Sequence, residues 1–150
     1  MQARMPHPVM TVPGAFEALQ AFAKAASKGG LPATLGELVN LRVSQINGCS
    51  VCVDMHARSL KKAGESEERI WAIGAWRDAP YFTDAERAAL ALAESVTRIG
   101  DSADPVPDAI YDEAAKHFDE PALTSLLLCI TLINAWNRLN VATRQVAGAW

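Results

Sequence analysis

At 150 residues and 16.1 kDa the chain reads as one domain, 1–150, with room for a real hydrophobic core and no need of cross-links. Its 14 basic and 17 acidic residues leave a formal net charge of -3, and the scattered basic residues offer no electropositive face for nucleic acid. Three cysteines, an odd number, and an opening MQARMPHPVM without an apolar run argue against a secreted disulfide scaffold and predict the reducing cytoplasm.

Strand signals are scarce, and the spacing of apolar residues predicts an all-α, compact bundle of about seven helices. The first enters through Pro13, buries Phe16, Leu19, Phe22, Ala23 and Ala26, and ends at Gly29-Gly30. The second starts near Thr34, presents Leu35, Leu38, Val39, Arg42, Val43 and Ile46, and stops at Asn47-Gly48. A third runs from about Cys49 to Ala63, with Gly64 as its stop. Ser66 caps a fourth that turns Ile70, Ile73 and Trp76 inward. Thr83 with Glu86 forms a capping box for a fifth, which reaches Ile99. A sixth enters through Pro107 and covers Ile110 to His117, and a long seventh enters through Pro121 and reaches Leu139. The longest apolar run, Leu126 to Ile133, falls short of the ~20 residues that span a bilayer and reads as a buried core helix, so no membrane partner is expected. The hydrophobic share of 50% and the tryptophans at 71, 76, 136 and 150 suggest that some apolar surface lies between subunits.

Chemistry concentrates in Cys49-Ser50-Val51-Cys52-Val53-Asp54-Met55-His56, with Glu37 one helix upstream. If Cys49 opens a helix, Cys52 lies one turn on and His56 a turn beyond, on one face. The free N–H groups of a first turn favour thiolate over thiol, and the spacing suits a reversible disulfide. His56 lies about 6 Å of helix rise from Cys52 but about 10 Å from Cys49, so only Cys52 reaches it, and Cys49, nearer the loop, is expected to be the more open thiol. Three plainer readings compete. The cysteines are two small buried apolar residues; or Cys49, Cys52, His56 and Glu37 bind zinc, although three ligands would crowd one helix turn; or Glu37 merely closes a capping box, Thr34-Leu35-Gly36-Glu37, which the local pattern favours. Cys129 sits in an apolar stripe and reads as an inert core thiol, Trp71 and Trp76 as core rather than pocket walls, His7 and His117 as isolated. Asn134, Asn137 and Arg138 need partners that join helices, join subunits or line a pocket.

The order Glu37, eleven residues, Cys49, two residues, Cys52, three residues, His56 resembles the signature of the alkylhydroperoxidase D-like branch of the carboxymuconolactone decarboxylase family. Leu41-Arg42-Val43-Ser44-Gln45-Ile46-Asn47-Gly48 before the thiols and Asn134-Ala135-Trp136-Asn137-Arg138-Leu139 near the C-terminus are similar in order and spacing, so the likeness runs from about residue 13 to 145. It implies an all-helical subunit in a homo-trimer or homo-hexamer and a peroxidase or disulfide reductase with no metal and no organic cofactor. Carried over, Cys52 is the peroxidatic thiol, Cys49 the resolving thiol, His56 the proton shuttle and Glu37 the carboxylate that orients it. The partners so implied are a hydroperoxide substrate and an external dithiol or thiol-protein reductant. One departure is Val51, where the resemblance leads one to expect a second histidine. The rival readings are a lactone decarboxylase, whose branch generally lacks the CxxC, and a non-catalytic redox sensor or oligomeric binding protein that uses the disulfide as a switch.

Overall fold

The computed structural model describes residues 1–149; Trp150, one of the four tryptophans expected at subunit contacts, lies outside the described residues. Among the described residues all regular structure is helical: α1 Pro8–Thr11, α2 Ala15–Ala26, α3 Ala33–Ile46, α4 Ser50–Lys62, α5 Glu67–Ala72, α6 Asp84–Thr97, α7 Asp108–His117 and α8 Glu120–Thr143. Short 3-10 turns, Ser27–Gly29 and Ile73–Ala75, extend α2 and α5. Eight α-helices thus stand where the apolar spacing predicted about seven.

The additional one, α1, is a single turn, too short to show a periodic face; Pro8 opens it and His7 caps it through Nδ1, which accepts from the Val9 N–H. Pro13 then falls in the turn ahead of α2, whose N-cap is Gly14 in the left-handed region at φ 81°. The sequence stops and starts hold elsewhere. Thr83 Oγ1 accepts from the Glu86 N–H at 3.3 Å and Glu86 accepts from the Thr83 N–H at 2.8 Å, the reciprocal box that starts α6. Ser66 caps α5, and Asp119 caps α8 with Pro121 in its first turn.

Helix α3 is the central element, packed against α4, α6 and α8. Its Leu38, Val39, Leu41 and Val43 meet Leu60 of α4, Leu90 and Leu92 of α6, and Leu126 and Ile130 of α8 in one fully buried core. Helix α2 lies over α8, and the turn after it comes so close that a Cβ on Gly29 would strike the Pro121 carbonyl and the Ser125 hydroxyl. By length and composition alone α8 could cross a membrane, and in this respect the helix exceeds the apolar run read from the sequence. It also carries buried polar residues, among them Ser125, Asn134, Asn137 and Asn140, each held by hydrogen bonds to other elements.

Glu94 sits in the apolar face of α6 and is buried. It accepts from Arg42 Nε at 2.7 Å, Trp76 Nε1 at 2.9 Å, Arg77 Nη1 at 2.6 Å and Arg98 Nη1 at 3.3 Å. Burial alone would raise its pKa, but Arg77, Trp76 and Arg42 outweigh it and hold the carboxyl at about 2. A depressed carboxyl contributes stability above its unfolded pKa of about 4.3 and loses it as pH falls toward 2. Glu94→Gln, which leaves three arginines and an indole facing a neutral amide, is expected to cost about 3 kcal/mol. Thermal unfolding at pH 7 should show a Tm lower by roughly 6–12 °C, and the gap to the parent should shrink in acid.

Candidate active site

The site begins where α3 ends. Gly48 adopts φ 67°, which an L side chain rarely takes, and the turn closes with two bonds: Gly48 N–H to the Gln45 carbonyl at 3.3 Å and Cys49 N–H to the Ser44 carbonyl at 3.0 Å. Asn47 pins it from outside, its Nδ2 donating to Oδ1 of Asn134 at 3.0 Å and of Asn137 at 2.9 Å, both on α8. Asn134 and Asn137 therefore join helices, as their polarity demanded.

Cys49 emerges as the extended N-cap of α4, one residue ahead of the helix it was expected to open, and its Sγ accepts from the Cys52 N–H at 3.4 Å. The expectation that Cys49 is the more open thiol is corrected. Both residues are buried, at 1% exposure each. It is Cys52 that borders the cavity. Both are free thiols. The pair divides its protons unevenly: the Cys52 thiol donating to Cys49, against the opposing effect of burial, brings Cys49 down to about 6, with the Cys52 amide and Asn140 adding to the fall. That same donation, together with burial, pushes Cys52 up.

Glu37 does not cap. Helix α3 starts at Ala33 behind Pro32, so Thr34 lies inside the first turn and the box read from Thr34-Leu35-Gly36-Glu37 does not form. The carboxylate reaches across instead, Oε2 lying 2.9 Å from His56 Nδ1. Burial raises the Glu37 pKa, but His56, Ser59 and Asn40 together hold it below the ordinary carboxylate range. With Nδ1 directed at a carboxylate, His56 Nε2 is buried and has no hydrogen-bond partner among the described residues, which leaves it open to take or give a proton.

Cys52, His56 and Glu37 lie at the polar end of a cavity of about 820 Å³ between α2, α3, α4 and α8, whose other walls include Phe16, Leu31, Leu132 and Trp136. Cys129 lines it too, half-buried rather than sealed in the core; burial and the charge of Glu37 push its thiol up to about 11, so it stays protonated at neutral pH. Trp71 is 72% exposed, not core, whereas Trp76 is buried in the core as expected, its Nε1 donating to Glu94. Among the described residues no three His, Cys, Asp or Glu side chains converge as a metal site requires, which leaves the zinc reading without a donor set.

The pattern of the carboxymuconolactone decarboxylase family matches residues 13–95. The uncharacterized protein YdfG of Bacillus subtilis is 42% identical over 109 residues, 73% of this chain and 73% of that one. The chain belongs to this family. Its place is the AhpD-like branch. A crystallised Agrobacterium tumefaciens protein of unknown function, provisionally named for AhpD antioxidant defence, superposes with a TM-score of 0.91 at 32% identity, over 99% of this chain and 100% of that one. Alkyl hydroperoxide reductase AhpD of Bradyrhizobium diazoefficiens is 53% identical over 34 residues, 23% of this chain and 19% of that one.

The family pattern stops at residue 95, yet the cavity of this carboxymuconolactone decarboxylase family member is completed by residues on both sides of it. Asn140 of α8 donates through Nδ2 to Cys52 Sγ at 3.2 Å, and Trp136 forms a wall. His7, read as companionless, bonds through Nε2 to Asn140 Oδ1 at 2.9 Å and borders the cavity. Asn140 escaped the sequence reading altogether; its one signal there was an amide placed one turn beyond Asn137 on an apolar helix.

Proposed function

We propose that this chain is a thiol-dependent peroxidase that reduces hydroperoxides through the Cys49–Cys52 pair. The observation that carries the reading is the meeting of Cys52, His56 and Glu37 at the rim of one apolar cavity, with a second, more acidic thiol directly behind Cys52. His56 Nε2 takes the Cys52 proton through one intervening water, and the thiolate attacks the terminal oxygen of the peroxide, giving a Cys52 sulfenic acid and an alkoxide. The alkoxide takes the proton back from His56 and leaves as alcohol. Cys49, attacking as its thiolate, displaces hydroxide from the sulfenic sulfur, and the hydroxide takes a proton from solvent. An external dithiol or thiol protein reduces the resulting disulfide. No metal or organic cofactor enters these steps, and the reducing cytoplasm suits a dithiol that must be regenerated.

Catalytic turnover of an organic hydroperoxide in the presence of dihydrolipoamide or a thioredoxin is the expected result. Stoichiometric disulfide formation without turnover would make the chain a redox sensor.

The chain works as a homo-trimer or homo-hexamer in this reading. Only 39% of the most apolar stretch of α8 is buried within the subunit, and Met10, Val12, Trp71, Ile99 and Val141 are exposed. Light scattering at micromolar concentration should return three or six subunits; a clean monomer sinks the assembly.

A further inference from the structure

The N-terminal segment is fastened to the far end of the chain. Arg4 donates from its backbone N–H to the Thr143 carbonyl and from Nη1 to the Ala142 carbonyl, each at 2.9 Å, and Gln145 Nε2 donates to the Met5 carbonyl at 3.1 Å. These bonds set His7 against Trp136, ring centroids 5.7 Å apart, at the cavity wall.

Its tautomer follows from its partners. A backbone N–H only donates, so His7 Nδ1, 3.3 Å from the Val9 nitrogen, carries the lone pair and Nε2 carries the proton in the neutral ring. Nε2 therefore donates to Asn140 Oδ1, which settles which way the buried amide points: its NH2 end faces Cys52 Sγ at 3.2 Å. A donor aimed at sulfur favours the thiolate, and a carbonyl aimed at it repels one. Without the His7 N–H, nothing obliges Asn140 to keep its NH2 end on the sulfur.

We propose that His7 is a positioning residue for Cys52: acting through Asn140, it holds a hydrogen-bond donor on the reactive sulfur, so that the N-terminal segment completes the reactive end of the cavity. The inference rests on Cys52 being the reacting thiol of the proposed function, but its test does not need peroxide.

In a Cys49→Ser background, the rate of iodoacetamide alkylation of Cys52 is followed against pH, with the Cys52 peptide read by mass spectrometry to separate it from Cys129. His7→Gln keeps an N–H for Asn140; His7→Met, of similar size, has none. The apparent pKa of Cys52 should rise by about one unit in His7→Met, a tenfold smaller thiolate fraction below it, and return to within a few tenths of the parent in His7→Gln. Asn140→Leu should give the same rise and make His7→Met silent when the two are combined. Equal values in the Met and Gln variants, or additive shifts in the combination, overturn the proposal. Should His7→Met not fold, NMR of the imidazole nitrogens in the unsubstituted protein decides: a neutral His7 protonated on Nδ1 overturns the proposal, and one protonated on Nε2 whose signal moves when Cys52 is alkylated supports it. A protein that passes these tests yet turns over no peroxide refutes the proposed function and leaves the positioning role intact.

Discussion

Cys52→Ser is expected to abolish peroxide-driven sulfenic acid formation and to lower turnover on the order of a thousandfold or more, because of the paired thiols it is Cys52 that meets the cavity. Cys49→Ser should still react once and leave a sulfenic acid on Cys52, trappable with a dimedone probe. The low pKa of Cys49 does not make it the attacking thiol: it is buried behind Cys52 and does not border the cavity, and it owes its acidity to the hydrogen bonds it receives from Cys52. In the parent protein, closure of the disulfide should speed up as pH rises and Cys49 becomes a thiolate, and level off once it is one; stopped-flow measurement of the step after sulfenic acid formation reads this directly. A sulfenic acid on Cys49 that persists in Cys52→Ser would reverse both roles.

Local signals carried much of this fold into view. The Thr83 and Glu86 pair, Ser66, Gly64 and Asn47-Gly48 mark helix ends by the groups they leave to bond, and the spacing of Cys52 and His56 fixes their shared face because both sit on α4, with Cys49 as its N-cap. What stayed hidden depends on contacts between distant segments. Thr34 and Glu37 spell a capping box, but Pro32 starts α3 early, and a shift of that size turns Glu37 from a cap into a partner for His56, 19 residues away. His7 and Asn140 are 133 positions apart, so neither gives any hint of the other. Glu94 likewise looks misplaced on an apolar face until Arg42 and Arg77 arrive from two other stretches of chain to join Arg98, one turn along α6. A cavity is a property of packed elements, and no periodicity within one helix predicts its walls.

Glu37→Gln should slow the oxidation of Cys52 by peroxide roughly tenfold to a hundredfold while leaving the fold in place. Glutamine can still accept the His56 Nδ1–H through its amide oxygen, so the ring keeps its orientation and Nε2 its lone pair. What the amide lacks is charge. When His56 takes the Cys52 proton it becomes an imidazolium inside a largely buried site, and the carboxylate 2.9 Å away is the negative partner that stabilises it. Because His56, Ser59 and Asn40 together hold Glu37 below the ordinary carboxylate range in spite of burial, that charge is present at neutral pH and fades only in acid. The rate advantage of the parent over Glu37→Gln should therefore be full near pH 7 and shrink as pH falls below the carboxylate range. Stability gives the contrast: the Glu37 side chain is 29% exposed and caps no helix, so the Tm should move little. Equal peroxide reactivity of the two proteins at pH 7 would reduce Glu37 to a structural partner of His56 and leave the proton relay without its carboxylate.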